Sequence, residues 1–230
     1  MKKPLFAVLL VALSAVSMAL APRLAEPRFT RDFCLDHCTF STAVTNEFLP
    51  LEPGRFVILE GAKAGRVDRL EVRVLDQVRI VGGIPCRVVA ESHFVDGALE
   101  EVVELAYATD VGTRNVYLMA EAVDLYADGE VVGHDGSWEA FVGGAKPGLA
   151  MPGTILVGAR YVLQEVPGIT EDRAEILEHP EPAKTPAGVF QACVKVEETS
   201  ALEKDEVVIK AYAPGVGIVK DGHLKAIAHN

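Results

Sequence analysis

The stretch RDFCLDHCTF (31–40) puts Cys34 and Cys38 four positions apart with Asp36 and His37 between them, a donor set suited to metal or thiol chemistry. A c-type haem attachment would need a histidine directly after the second cysteine, where this chain has Thr39. A zinc finger would need a second ligand pair, and Cys86 and Cys193 stand alone. A soft copper(I) site from Cys34, His37 and Cys38 is chemically allowed, because thiolates and imidazole suit that ion. The four cysteines also fit two disulfides, Cys34–Cys38 and Cys86–Cys193, if the chain folds in an oxidising compartment. On that reading the CLDHC segment is a staple near the N-terminus.

Other candidate groups are scattered. His93 lies two residues beyond Glu91 in AESHFVDG, so both share one strand face, expected to be solvated. His134 and Asp135 sit beside Ser137, but adjacent turn residues rarely face one another and no Gly-x-Ser-x-Gly elbow occurs. No Walker loop, Gly-x-Gly-x-x-Gly or His-Glu-x-x-His is present. Carboxylates remain. Glu165 shares parity with Tyr161 and Leu163 and is expected to point inward, where it would need a donor or a hard cation such as calcium. As an enzyme the chain would have only Glu165 or Asp172 to offer as general acid or base. Trp138-Glu139 and Glu171-Asp172 flank the glycine- and proline-rich stretch FVGGAKPGLAMPGTILVG, and are expected with Glu165 around one pocket at a barrel mouth.

The elements that would position these groups are strands. Asp-Gly occurs at 96–97, 128–129, 135–136 and 221–222, the strongest short-range hairpin signal. In LEVRVLDQVRIV, Leu70, Val72, Val74, Val78 and Ile80 share one parity; in GVFQACVKVEE, Phe190, Ala192, Val194 and Val196 do. Period two marks strands with one buried face. Further strands are expected at 55–61, 84–94, 99–108, 115–126, 130–134, 159–166, 206–212 and 216–220, with 135–158 less regular. TEDRAEILEH (170–179) reads as a short helix capped by Thr170 or as another strand. The fold class is therefore all-β: a large antiparallel meander forming a closed or half-open barrel, with little helix outside the N-terminus.

Lys2 and Lys3 precede an apolar run from Leu5 to Leu20 and small residues at Ser17, Ala19 and Ala21, the pattern of a secretory signal peptide (1–21, cleavage between 19 and 25). The run is shorter than the roughly 20 residues a spanning helix needs. An N-terminal segment (22–45) with Cys34 and Cys38 and a single β domain (46–230) would follow. Periplasmic or extracellular location is expected, with no membrane insertion once the signal is removed. The formal charge is −11, and −13 without Lys2 and Lys3, from 20 basic against 33 acidic residues. That acidity disfavours nucleic acid and anionic membrane as partners.

At YATD…NVYLMAE, GSWEAFVGGAKPGLAMPG, PGITEDRAEIL and AYAPGVGIV the chain resembles a family of exported bacterial β-rich proteins, hypothetical proteins without an assigned activity. The likeness runs from about Asn46 to Val219. Members tend to read Asn-Pro-Tyr-Phe-Pro where this chain has NEFLP, with Glu47 and Leu49 departing, and Trp-Tyr where it has Tyr117-Leu118. The matching polar and aromatic positions are Asp110, Asn115, Glu121, Trp138, Glu139, Glu165, Glu171 and Asp172. As candidate ligand-binding residues these give Asp110, Glu121, Trp138, Glu139, Glu165, Glu171 and Asp172. With no catalytic constellation, the expected function is a non-enzymatic, exported binding protein for a small apolar ligand or a partner protein. No cofactor is expected. The alternative is a metal-binding protein using the acidic residues or Cys34-His37-Cys38.

Overall fold

The structure is a computed structural model and describes residues 28–203 and 207–230. The predicted signal peptide lies outside the described residues, as do residues 22–27 of the N-terminal segment. No helix among the described residues is long and apolar enough to cross a membrane.

The strands are β1 (Phe56–Lys63), β2 (Arg66–Val81), β3 (Ile84–Val95), β4 (Ala98–Thr109), β5 (Val116–Ala127), β6 (Glu130–Gly133), β7 (Trp138–Glu139), β8 (Lys146–Met151), β9 (Arg160–Val166), β10 (Thr170–Thr185), β11 (Gly188–Ser200), β12 (Val207–Ala213), β13 (Gly217–Asp221) and β14 (Leu224–His229). Neighbours pair antiparallel from β4 back through β1 to β14, then down to β8 and β5, and the β4–β5 pairing closes the ring. The result is a closed twelve-stranded antiparallel barrel. Closure pairs each of the twelve barrel strands on both sides, removing the open edges that a flat sheet would carry. β6 and β7 are not barrel staves; they pair with β5 where β8 ends.

TEDRAEILEH is the start of β10, which continues through Pro180 and Pro182 with register shifts between Ile176 and Ala183. β8 was hidden in the stretch expected to be irregular. Its Pro147 and Gly148 read as a turn, but a Cβ on Gly148 would lie 2.2 Å from the Leu163 carbonyl oxygen, so glycine is what lets β8 approach β9.

Two alternations break at bulges. Leu70 and Val74 are buried as expected, but the register shifts between Val74 and Val78, leaving Val78 and Ile80 47% and 60% exposed. Past the shift the hairpin leaves the wall, and its other face packs: Val81 and Cys86 are fully buried, Phe141 covers Gly82, and Arg79 meets Glu139 at 2.5 Å. In β11, Ala192 takes a positive φ of 56°, which buries Cys193 next to Val194.

Residues 46–55 form a strap over the end carrying the β4–β5, β8–β9 and β12–β13 turns. Asn46 organises it. Its Nδ2 donates to the carbonyls of Arg114 (2.9 Å) and Pro152 (3.1 Å), and its Oδ1 accepts from the Phe48 and Leu49 N–H groups. The Gly215 N–H bonds the Glu47 carbonyl at 2.7 Å. Before the strap, Thr30 bridges to Tyr161, and Phe33 and Phe40 set their rings edge-on to Tyr117, 5.7 and 6.0 Å away.

Candidate functional site

The barrel interior holds a cavity of ≈ 230 Å³. Leu49, Pro50 and Leu51 of the strap cap it with apolar side chains, and Val72, Val74, Val89, Leu105 and Leu118 line its wall. Inward positions on β3, β5, β9, β10, β11 and β12 add Glu91, Glu121, Gln164, Asp172, Glu198 and Lys210 to the lining, with Tyr107 and Tyr212; Glu91 sits opposite Val72 and Glu121 opposite Leu105 in the strand register. A second hollow shares Asp172, Glu198 and Lys210 and adds Asp221, Thr199 and Ser200, continuing the space toward the end of β11.

Two of these acids are neutralised. The Lys210 Nζ sits 2.9 Å from Glu198 Oε2 and 3.6 Å from Asp221 Oδ2. Burial disfavours the ammonium, but the neighbouring Glu198 and Asp221 outweigh that and hold its pKa well above the usual lysine range. The Tyr212 hydroxyl donates to Glu198 at 3.4 Å. Burial raises the pKa of both Tyr107 and Tyr212 well above the usual range, so both stay neutral phenols.

Glu91 and Glu121 differ. Neither carboxyl has a hydrogen bond of ordinary geometry among the described residues. Burial pushes Glu91 up to about 7, with Lys210 opposing and Asp221, Glu198 and Glu101 adding. Burial pushes Glu121 up to about 7 as well; the Trp138 indole N–H opposes, and Glu91 and Asp172 reinforce. Trp138 is paired with Glu121 across β7 and β5, yet its Nε1 has no partner in normal hydrogen-bond geometry. Gln164 donates its Nε2 to Asp172 at 2.8 Å, leaving its buried Oε1 unpartnered.

Of the residues singled out in the sequence, the structure brings Glu121, Trp138 and Asp172 to this cavity region and places the others elsewhere. Glu165 points outward, against expectation: it bonds Lys146 (2.6 Å) and Arg31 (2.7 Å) on the outer wall. Glu171, its register partner, shares Arg31 and bonds Arg173 at 2.6 Å. The β9 register shift beside Asp172 sets Gln164 rather than Glu165 inward. Glu139 serves Arg79. Asp110 holds the β4–β5 turn, accepting from Thr113 N–H (2.8 Å), Thr113 hydroxyl (2.6 Å) and Thr39 N–H (2.9 Å). Its burial alone would raise its pKa; those hydrogen bonds keep it lowered.

The expected disulfides are not formed. All four cysteines are free, and Cys86 and Cys193 belong to separate hydrophobic clusters. Cys34, in a left-handed conformation, caps a single 3₁₀ turn at Leu35–His37, and the Cys38 Sγ faces its carbonyl at 3.9 Å. Among the described residues, no three His, Cys, Asp or Glu side chains gather in a way that could hold a metal ion, CLDHC included.

Glu91, expected on a solvated face, is the main functional candidate that the sequence reading passed over, with Lys210, Glu198, Gln164, Tyr107 and Tyr212. A signal existed in VVIKAYA, where a lone Lys210 sits at Tyr212's parity inside an apolar strand. Compared with protein-family models, curated proteins and solved structures, the chain has no match.

Proposed function

We propose that this protein is a non-enzymatic binding protein that holds a small, largely apolar ligand inside its barrel. The observation that carries the reading is the ≈ 230 Å³ cavity in the barrel, capped by apolar side chains of the strap. Concave, mostly apolar spaces with a few convergent polar groups are the usual form of small-ligand sites. An apolar cavity of about 150 Å³ accommodates benzene, so this one suits a ligand of about nine or ten non-hydrogen atoms. The reading includes export to the periplasm or beyond, supported by the signal-like N-terminus. The outer wall carries ion pairs such as Arg160–Glu175 and Lys195–Glu178, which supports a barrel surrounded by water.

Calorimetric titration with 1-octanol tests the binding reading. Saturable one-to-one binding is expected for the native chain, and loss of it in Val74→Phe, which fills space at the apolar wall. Undiminished binding by that variant, with circular dichroism unchanged, would refute the cavity as the site. The export half predicts a secreted or periplasmic species whose mass lacks residues 1 to about 21.

A further inference from the structure

We propose that the cavity selects a cationic amphiphile, a short alkyl or aryl chain ending in an ammonium group, which docks its nitrogen between Glu91 and Glu121. The inference rests on the cavity-binding reading and assigns that ligand its charge.

Among the described residues, free acceptors line this cavity and free donors of positive charge do not. Among the described residues Glu91 and Glu121 line the cavity without an ion pair, while Lys210, the ammonium of that wall, is already held by Glu198 and Asp221. Arg55, the other cation on the wall, is committed to Glu52 at 2.9 Å and to the Gly215 carbonyl at 2.7 Å. Gln164 is only 8% exposed and lines the same space, and its Oε1 is an acceptor without a donor. A buried acceptor left unpaired costs free energy that an incoming N–H group recovers. An ammonium offers three such donors together with the charge that Glu91 and Glu121 lack. A carboxylate ligand would meet like charge from Glu91, Glu121 and Asp172 in a space where water screens little. Burial puts both glutamates at about 7, so at pH 8 they are mostly ionised. The ligand's chain would lie against the apolar side chains of the lining.

Three ligands of one shape separate the possibilities: octylammonium, 1-octanol and octanoate, titrated at pH 8 below their aggregation thresholds. Binding is read by calorimetry and by emission of Trp138, the single tryptophan of the chain, which neighbours Glu121. Octylammonium should bind about tenfold or more tighter than octanol, and octanoate about tenfold or more weaker than octanol. In the Glu91→Gln, Glu121→Gln double variant the octylammonium-to-octanol ratio should fall toward one. Octanol binding with no preference for octylammonium, or with octanoate tightest, would overturn the charge assignment and leave the cavity reading standing. Failure of all three to bind would overturn both.

Discussion

Glu165 and Glu171 on the outer side of β9 and β10, and Glu91 and Glu121 on the inner side of β3 and β5, are one residue type in one sheet, yet their acidities move in opposite directions. Outside, the bond to Lys146, with help from Arg31, lowers the pKa of Glu165, and Arg173 and Arg31 do the same for Glu171. Two carboxylates directly opposite across a strand pair would repel; Arg31, from the arm before the barrel, is what makes that juxtaposition tolerable. Inside, Glu91 and Glu121 are half-buried, have lost much of their water and gained no such partner among the described residues, so their protonated forms are favoured. The outer pair is therefore a fastening for the N-terminal arm. The inner pair is an unmet demand, and Lys210 with Glu198 and Asp221 shows what the same wall looks like once the demand is met.

The sharpest way to break this contrast is Lys210→Met, which leaves Glu198 and Asp221 facing each other without their cation. Removing one partner from a fully buried ion pair costs about 3–5 kcal/mol; Lys210, Glu198 and Asp221 keep 22%, 19% and 20% of their side-chain surface, so urea unfolding at pH 8 should show a loss of about 1–3 kcal/mol. A loss under about 1 kcal/mol would mean this part of the lining is solvated enough to dissolve the comparison.

Glu91→Gln should act the other way. The folded pKa of about 7 lies above the ordinary 4.5, so the folded state holds its proton across that window and the unfolded state gives it up. Wild-type stability from this group is therefore fullest below about pH 4.5 and falls as pH rises through about 7. The variant removes that loss. It should match wild type near pH 4.5 and exceed it at pH 8 by about 2–3 kcal/mol; equal stability at pH 8 would show that the carboxylate has found a partner.

Glu165→Gln is the smallest effect, under about 1 kcal/mol because the pair is near solvent. That effect should shrink further in 1 M salt, where screening acts over about 3 Å. An effect as large as that of Lys210→Met would place Glu165 in the barrel's core energetics and erase the inside–outside distinction.

Much of the architecture was legible because period two and Asp-Gly turns are local signals. Strands such as 84–94, 99–108 and 115–126 follow from them, and the structure closes these strands into a barrel. β8 was not legible, since Pro147 and Gly148 carry turn chemistry whose use as a close strand contact depends on the Leu163 backbone of β9. The site was legible in part. Glu121, Trp138 and Asp172 were named, but Glu165 was given the inward place that Gln164 holds. Parity counting fails across a register shift, because one irregular residue exchanges the two faces for everything beyond it.

The amino-acid order by itself determined the chemical inventory and its limits: an acidic chain, strands in hairpin succession, a signal-like start, and none of the motifs that nucleotide or triad chemistry requires. Only the tertiary structure decided which carboxylates are paired and which are not. Ion pairing between positions as distant as Arg31 and Glu171 depends on which face each side chain takes, and the gathering of Glu91 and Glu121 around one cavity depends on how many strands complete the ring. Those are set by bulges, by the strap that Asn46 ties down and by closure between β4 and β5, all contacts between residues far apart in the chain.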